Sequence, residues 1–201
     1  MPLHNPACAF PLAAQHASCL PPRHMHDTLR QTGRTIPGNP WIVIRGSAIH
    51  GRGIFARTAI PRGTRIIEYV GERISKAEGF RRSAAQIERN RRNGTHGAVY
   101  IFEVNKTTDI DGNVSWNPAR LINHSCAANC EASIVRGRVW IEALRPILPG
   151  EELSYDYGYD LDHWENHPCR CGAAGCCGYI VRKNLRWRLA RKLEAIRLDP
   201  A

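Results

Sequence analysis

The spacing of the cysteines constrains this chain more than any other feature of its sequence. Three of its eight cysteines fall within eight residues, in the pattern Cys169-x-Cys171-x4-Cys176. Thiols this close, in a chain without a secretion signal, are typical of a structural zinc site rather than of a disulfide framework. Tetrahedral zinc needs a fourth ligand, and a distant one would tie its own segment to the C-terminal loop. The candidates are Cys126, which we favour, and Cys130 and Cys177.

The net charge of +10 sits mainly at the two ends of the chain. Residues 1–45 carry four arginines against one aspartate, and residues 182–201 carry seven basic residues against two acids. Such ends can make weak contact with nucleic acid or an acidic protein, although a solvated face explains them equally well. No apolar run approaches the roughly 18 residues of a membrane span, and the start lacks the basic leading segment of a signal peptide. We expect a soluble intracellular protein without a membrane partner, in a bacterial cytoplasm or, if exported or eukaryotic, in a nucleus.

Short β-strands dominate the predicted secondary structure. Turn signals with glycine or proline separate runs that are apolar or alternate between apolar and polar residues. Two such runs flank Arg136-Gly137 and predict a β-hairpin. Many short strands with one helical insertion indicate a single, mainly β (α+β) domain. The strand segments are 41–45, 54–56, 65–70, 99–104, 131–135, 138–143 and a final one that ends at Tyr155.

Two helices complete the predicted secondary structure. The short insertion begins at Ser75, which forms a capping-box pattern with Glu78, and runs to about Arg92. Its many basic residues would suit an acidic substrate neighbourhood, although a solvated helix face explains them more simply. Residues 184–198 place an apolar stripe opposite basic residues, which predicts an amphipathic helix docked on the body or on a partner. The stripe consists of Leu185, Leu189, Leu193 and Ile196.

Three further clusters carry polar groups suited to a ligand. The glycine turn His50-Gly51-Arg52-Gly53 lets the backbone approach a bound molecule closely. The pair Asn123-His124 supplies hydrogen-bond donors and acceptors. Tyr155 and Tyr157 stand two residues apart on a strand, so their rings face the same way and can wall a narrow channel. Each cluster alone also fits an ordinary turn, polar pair or aromatic strand face.

Taken together and in order, these clusters resemble the SET family of protein-lysine methyltransferases. The likeness covers about residues 46–182, roughly two-thirds of the chain. It includes the segments Glu68-Tyr-Val-Gly71, Tyr100-Ile-Phe102 and Gly150-Glu-Glu-Leu-Ser-Tyr-Asp-Tyr157, and the final cysteine pattern is similar to the family's post-SET zinc loop. The resemblance implies a β-clip fold of small curved sheets with a knot-like crossing, where Asn123-His124 is threaded beside the tyrosine segment. It divides the chain into a flexible leader (1–40), a SET domain (41–162), a post-SET zinc loop (163–182) and a basic amphipathic C-terminal helix (183–201).

The resemblance also implies roles for individual residues. Tyr157 matches the catalytic tyrosine, Tyr155 the position that tunes how many methyl groups are added, and Tyr100 the joint between methyl donor and lysine. Arg170 would cover the donor with its backbone. One structural zinc ion would be held by Cys126, Cys169, Cys171 and Cys176. S-adenosylmethionine would be held by His50, Gly51, Arg52, Gly53, Tyr100, Asn123, His124, Tyr157 and Arg170.

The chemistry of methyl transfer leads to a prediction about the product. The attacking lysine amine must be neutral, although the pKa of a free lysine is about 10.4. A desolvated channel beside a cationic sulfonium disfavours the ammonium form, so no strong general base is needed. A Tyr155 hydroxyl that holds the amine or a water would leave little room for a methylated nitrogen. We therefore predict chiefly mono-methylation of a lysine in a histone or another protein tail.

Three alternatives compete with this enzymatic interpretation. A SET-like body without activity could recruit partners through its basic ends, but the intact Tyr157, Asn123 and His124 favour an enzyme. A zinc-supported nucleic-acid binder is a second alternative, although only 7% of the residues are aromatic and no nucleic-acid motif is visible. The cysteines could also form a redox pair instead of a zinc site. The sequence leaves the target lysine and the oligomeric state open.

Overall fold

The computed structural model describes residues 33–94 and 99–198, so most of the predicted leader lies outside the described residues. Within those ranges the chain forms short strands, two α-helices and several 3-10 turns. The helices are α1 (Lys76–Arg92) and α2 (Arg186–Leu198). The strands are β1 (Arg34–Thr35), β2 (Ile42–Gly46), β3 (Arg52–Ala56), β4 (Arg65–Tyr69), β5 (Glu72–Ser75), β6 (Ile101–Glu103), β7 (Thr108–Asp111), β8 (Asn123–His124), β9 (Cys130–Val135), β10 (Arg138–Ala143) and β11 (Ser154–Tyr155).

The strands form three small sheets, which confirms the predicted mainly β class with a helical insertion and a C-terminal helix. Their orders are β1-β2-β3, β4-β10-β9-β11-β8 and β5-β7-β6. The hairpin β9–β10 turns through Arg136 and Gly137, whose φ angles of 52° and 74° are both positive. Two positive φ angles give the turn the twist that tight hairpins favour, so the Arg-Gly pair was a correct signal.

The crossing that positions the site is a parallel pairing of β8 with β11. Asn123 lies opposite Ser154 and His124 opposite Tyr155, while Tyr155 also pairs with Cys130 of β9. The hairpin β9–β10 and two turns separate the paired segments along the chain. The prediction that the Asn-His segment lies beside the tyrosine segment is therefore confirmed.

The helix α1 starts where the capping signal predicts. The Ser75 hydroxyl accepts a hydrogen bond from the Glu78 N–H at 3.3 Å. The Glu78 carboxylate accepts from Arg81 and Arg82, so only half of the predicted capping box forms. Gly79, in the first turns of this helix, is buried where a Cβ atom would collide with the Asp109 carboxylate. The glycine is therefore explained by close packing of α1 on β7.

The apolar core falls into two unequal clusters. The larger one fills the space between the sheets and is rich in isoleucine, including Ile54 and Ile141, both fully buried. The smaller cluster contains three buried residues from the C-terminal part: Trp164, Val181 and Leu189. Along the predicted helical stripe, Leu185, Leu189 and Leu193 belong to this cluster or pack against it, whereas Ile196 is half exposed.

The described sheet begins before residue 41, where the sequence predicts the domain to start. β1 pairs with β2 through Arg34 and Thr35. The Asn39 side-chain amide donates to the Ile66 carbonyl at 2.7 Å. Residues 34–39 therefore contact the body, while the prediction of flexibility for residues 1–32 lies outside the described residues.

Candidate active site and metal centre

Four cysteines from two distant segments meet at one point. One of them follows β8, and the other three come from the C-terminal loop. Their sulfur atoms all lie within 4.8 Å of one another, so the group could hold a metal ion. Four thiolates are the donor set that tetrahedral structural zinc prefers. The four residues are Cys126, Cys169, Cys171 and Cys176.

The structure separates the two competing cysteines from this cluster. Cys130 is 1% exposed in the larger core cluster, where it pairs with β11. The Cys177 thiol lies 3.6 Å from the Tyr179 carbonyl and packs against the smaller core cluster. Among the described cysteines, Cys126, the fourth ligand that we favoured, is therefore the one that lies beside the other three.

The thiols of the cluster differ in how easily they ionise. Burial raises the pKa of Cys126 and of Cys169 above the usual value for a thiol. Burial acts in the same direction on Cys171, but backbone N–H groups of Cys126 and Ala173 outweigh it and lower its pKa. A bound cation favours the thiolate form of every ligand, so metal binding would release thiol protons.

The glycine turn and the Asn-His pair, two separate clusters in the sequence, are joined by one side chain. The Asn123 amide nitrogen lies 3.0 Å from the Ser47 hydroxyl and 2.8 Å from a Glu152 carboxylate oxygen. The same nitrogen lies 3.3 Å and 3.2 Å from the backbone carbonyls of His50 and Arg52. Asn123 thus fixes the turn through its nitrogen, which leaves its carbonyl oxygen to accept a hydrogen bond from a ligand.

The sequence argument missed two residues of this network, Ser47 and Glu152. The Glu152 carboxylate accepts a hydrogen bond from the Ser47 hydroxyl at 2.7 Å. A Cβ atom on Gly53 would collide with the carboxylate, so this glycine makes room for Glu152. Gly51 has a positive φ of 50°, as a tight turn requires. The second glutamate of the Gly150-Glu-Glu-Leu segment was the available signal, but nothing local shows that it reaches a turn 100 residues away.

Three tyrosines form a continuous aromatic wall behind the Asn-His pair. The rings of Tyr155 and Tyr157 are 4.9 Å apart, and those of Tyr157 and Tyr159 are 5.8 Å apart. The Tyr157 hydroxyl donates to the Ile122 carbonyl at 2.9 Å, and the Tyr159 hydroxyl to the Val99 carbonyl at 3.3 Å. Burial raises the pKa of all three phenols, so their hydroxyls remain protonated at neutral pH. Tyr159 was missed, although it continues the two-residue spacing of the other two.

Two cavities meet at this wall. Tyr157, Tyr159 and His167 line both of them. The second cavity is an open groove between α1 and the segment that follows Tyr157, and it includes Phe80 and Asp160. The first cavity contains five of the predicted donor-binding residues: His50, Asn123, His124, Tyr157 and Arg170.

Neither cavity is lined by the remaining predicted residues, and Tyr100 lines a third cavity beside α1 instead. Arg52 contributes its backbone carbonyl to Asn123, as described above. The Tyr100 carbonyl accepts a hydrogen bond from the Tyr69 hydroxyl at 2.9 Å, and the Tyr100 ring lies under the Arg120 guanidinium. Tyr100 belongs to the α1 side of the molecule, so its predicted place between donor and lysine stays a prediction.

The curved sheets, the β8–β11 crossing and the tyrosine wall define the class of protein. Residues 51–158 match the sequence profile of the SET domain. The chain belongs to the SET-domain family.

Curated relatives agree with this assignment. The chain is 41% identical over 147 residues to "Histone-lysine N-methyltransferase, H3 lysine-4 specific" of Saccharomyces cerevisiae, which covers 69% of this chain and 13% of the relative. It is 40% identical over 142 residues to the protein of the same name from Chaetomium globosum, covering 67% of this chain and 12% of the relative. It is 37% identical over 140 residues to human "Histone-lysine N-methyltransferase 2D", covering 67% of this chain and 2% of the relative. The chain therefore spans a small fraction of the length of these proteins.

Neither helix in the described part of the chain is long and apolar enough to cross a membrane. α1 has 17 residues, many of them charged, and α2 has 13.

Proposed function

We propose that this protein is a protein-lysine N-methyltransferase that moves a methyl group from S-adenosylmethionine to a lysine ε-amine, chiefly to the mono-methyl state. The observation that carries the proposal is the position of Tyr157, which lines two different cavities. A donor in one cavity and a lysine in the other would meet at this residue. The printed names of the relatives, histone-lysine N-methyltransferases, support the same activity.

The first cavity suits the donor because its lining combines polar groups with the aromatic rings of Tyr157 and Tyr159. When bound, S-adenosylmethionine supplies an electrophilic methyl group on a positively charged sulfur. The Asn123 carbonyl oxygen and the backbone of the His50 turn can hold the polar parts of the donor. Arg170 contributes from the opposite side, on the loop between two of the clustered cysteines.

The groove suits a basic peptide. Its lining holds four carboxylates, those of Glu103, Asp109, Asp160 and Asp162, against the two cations of Lys76 and Arg182, so acids are in excess. Lys76 pairs with Glu103 and Asp109, and Arg182 pairs with Asp160. The Phe80 side chain, 78% exposed, adds an apolar surface.

Several arginines of α1 are paired with acids. Arg82 pairs with Glu72, Glu78 and Asp111. Arg91 and Arg92 both pair with Glu88. The helix therefore presents less positive charge to a substrate than its sequence suggests. A lysine with basic or apolar neighbours, such as a histone tail offers, fits this lining.

The tyrosine wall would orient the amine. The Tyr157 hydroxyl donates to the Ile122 carbonyl, so its lone pairs are left to meet the amine or the transferring methyl group. Tyr155, with its ring 4.9 Å from that of Tyr157, narrows the space around the nitrogen. Catalysis would come mainly from alignment and from the exclusion of water, because the amine needs no strong base once desolvated.

The cysteine cluster would hold one structural zinc ion. Cys169 and Arg170 belong both to the cluster's loop and to the lining of the first cavity. A metal ion that ties this loop to Cys126 would complete the donor cavity.

The test uses labelled S-adenosylmethionine with histone tails and a mixed cell lysate, followed by mass spectrometry of the methylated lysines. We expect label on lysine, mainly as mono-methyl, and we expect Tyr157→Phe to lose activity by at least about 100-fold, as for other aligned catalytic groups, while it still binds the donor. Donor binding is measured by calorimetry. A wild-type protein that binds no donor, or a Tyr157→Phe variant with full activity, contradicts the proposal.

A second candidate, nucleic-acid contact through α2, is favoured by one observation. Trp187 is 54% exposed, and the guanidinium groups of Arg188 and Arg191 lie 5.4 Å and 5.2 Å from its ring centre. We expect Arg188→Gln with Arg191→Gln to weaken duplex DNA binding and to reduce the salt slope by about 2. The control, Arg91→Gln with Arg92→Gln, removes the same charge from paired arginines and should change binding less; equal losses contradict a specific surface on α2.

A further inference from the structure

The His124 ring lies between the cysteine cluster and the tyrosine wall, and its two nitrogens face different partners. Nδ1 accepts a hydrogen bond from the Tyr157 backbone N–H, with 3.2 Å between the nitrogens. Nε2 lies 3.5 Å from the Cys126 sulfur. The His124 side chain is only 2% exposed, so bulk water does not replace either partner.

These contacts decide which nitrogen carries the proton. A backbone N–H can only donate, so Nδ1 of His124 must accept and must be unprotonated. A neutral imidazole then carries its hydrogen on Nε2, the nitrogen that faces sulfur. The Nε2–H group therefore donates to the Cys126 sulfur.

The nearest acid, Asp156, leaves this assignment unchanged. Its Oδ1 lies 3.8 Å from Nδ1 of the ring, too far for a hydrogen bond, and accepts from the Gly158 N–H at 3.1 Å. Its Oδ2 accepts from the Arg186 guanidinium at 2.6 Å and from the Lys183 N–H at 3.1 Å. With the carboxylate engaged in this way, the hydrogen bond to Nδ1 that has normal geometry is the one from the Tyr157 N–H.

We infer that His124 is a positioning residue that couples the cysteine cluster to the backbone of Tyr157, an inference that rests on the proposed function. A metal ion at the cluster would fix the position of the Cys126 sulfur, and the contact of Nε2 with that sulfur would then fix the ring. The fixed ring holds the backbone N–H of Tyr157. It thereby positions the backbone of the tyrosine that lines both cavities. Ligation at the cluster thus acts on Tyr157 as well as on the covering loop, as groups that orient metal ligands commonly do.

The experiment loads the cluster of the full chain with Co²⁺ and records the sulfur-to-cobalt charge-transfer band. The variant His124→Asn keeps an acceptor near the Tyr157 N–H but cannot reach the sulfur, whereas His124→Gln can place an amide N–H near the sulfur. Loss of a hydrogen bond raises the energy of the thiolate electrons, so the band should move to longer wavelength in His124→Asn and return in His124→Gln. We expect kcat of the zinc-loaded His124→Asn variant to fall about 10- to 100-fold, with a smaller change in the KM for the peptide.

The matched control is His163→Asn, a substitution at an exposed histidine in the left-handed conformation that asparagine tolerates. Its cobalt band should equal that of the wild type. If His124→Asn binds cobalt through four thiolates and its band is unchanged, the coupling is overturned. If the band shifts but the wild-type protein transfers no methyl group, the contact stands and the proposed function fails, so the two failures are distinguishable.

A measurement on the wild-type protein avoids variants that fail to fold. Long-range proton–nitrogen correlation spectra of histidine labelled with ¹⁵N report which ring nitrogen is protonated. We expect His124 to carry its proton on Nε2 in the zinc-loaded protein. A proton on Nδ1 would remove the acceptor for the Tyr157 N–H and would overturn the inference.

Discussion

The two parts of this molecule are held together by different means. The body, residues 33–158, has a core cluster of seventeen buried residues, whereas the C-terminal unit, residues 159–198, has one of three. A fully buried aliphatic or aromatic side chain contributes about 1.5 to 3 kcal/mol. Three such side chains cannot offset the conformational entropy of ordering about 40 residues. The C-terminal unit therefore depends on the body and on the cysteine cluster.

This difference matters because the cavity proposed for the donor lies across the junction. His50 and Asn123 come from the body, while Cys169, Arg170 and Ile180 come from the C-terminal unit. Arg186 fastens the junction with bonds to the Cys126 carbonyl at 2.7 Å and to a carboxylate of the body. The wall from the body is thus held by a large apolar core. The wall from the C-terminal unit depends on metal binding by the cysteines of its loop.

Removal of the proposed zinc ion should have the largest effect, and it should destabilise the C-terminal unit far more than the body. Binding of structural zinc by cysteine clusters is worth about 10 to 16 kcal/mol at neutral pH. With a chelator, amide exchange should accelerate by orders of magnitude over residues 159–198 and change little in the body. Donor affinity, measured by calorimetry, should fall at least about tenfold.

Zinc added back should restore both exchange protection and donor affinity. An intact C-terminal unit after complete metal removal would show that the three buried side chains suffice, and the contrast between the two parts would be lost.

The second largest effect should come from truncation of a core side chain, and it should differ between the body and the C-terminal unit. Ile141 and Leu189 are both fully buried, one in each cluster. Ile141→Ala should lower the free energy of unfolding of the whole body by about 2 to 5 kcal/mol, measured in urea. Leu189→Ala removes a similar volume but should loosen mainly the C-terminal unit, seen as local amide exchange at constant zinc. A global loss of stability from Leu189→Ala would mean that the two parts unfold as one.

The product of methylation should depend on the body alone. Tyr155→Phe removes a hydroxyl beside Tyr157 without changing the apolar core around it. We expect the ratio of di- to mono-methylated peptide to rise about tenfold, which corresponds to about 1.4 kcal/mol between competing barriers. Mass spectrometry of a lysine peptide measures the ratio. An unchanged ratio at equal turnover would exclude the Tyr155 hydroxyl as the group that limits methylation.

The smallest effect should come from the cap of α1. Ser75→Ala removes the hydroxyl that accepts the Glu78 N–H, and loss of such a cap costs about 0.5 to 2 kcal/mol. Thermal unfolding should show a drop of a few degrees, whereas Ser83→Ala in the middle of the same helix should cause little loss. A decrease as large for Ser83 as for Ser75 would mean that the cap is not the stabilising feature.

Local signals in the sequence were enough for both helices, for seven of the eleven strands in the described residues and for the class of fold, but they missed the short strands β1, β5, β7 and β8. The Arg136-Gly137 turn, the Ser75 cap and the spacing of the cysteines each depend on neighbours within a few residues. Strand ends were less accurate: the segment predicted at 99–104 forms a strand only over Ile101–Glu103. The order of the motifs along the chain indicated the SET family, which no single motif could indicate.

The sequence by itself determined most of the elements, the clusters of polar residues and the order in which they occur, because backbone preferences act over a few residues. The family resemblance added that the Asn-His segment lies beside the tyrosines and that Cys126 joins the other cysteines. Only the tertiary structure decided which atoms of these clusters meet. The parallel pairing of β8 with β11 brings Asn123 to Glu152, His124 to Tyr157 and Cys126 to the C-terminal loop. These partners are about 30 to 50 residues apart, and their contacts depend on how the sheets pack, which no local preference specifies.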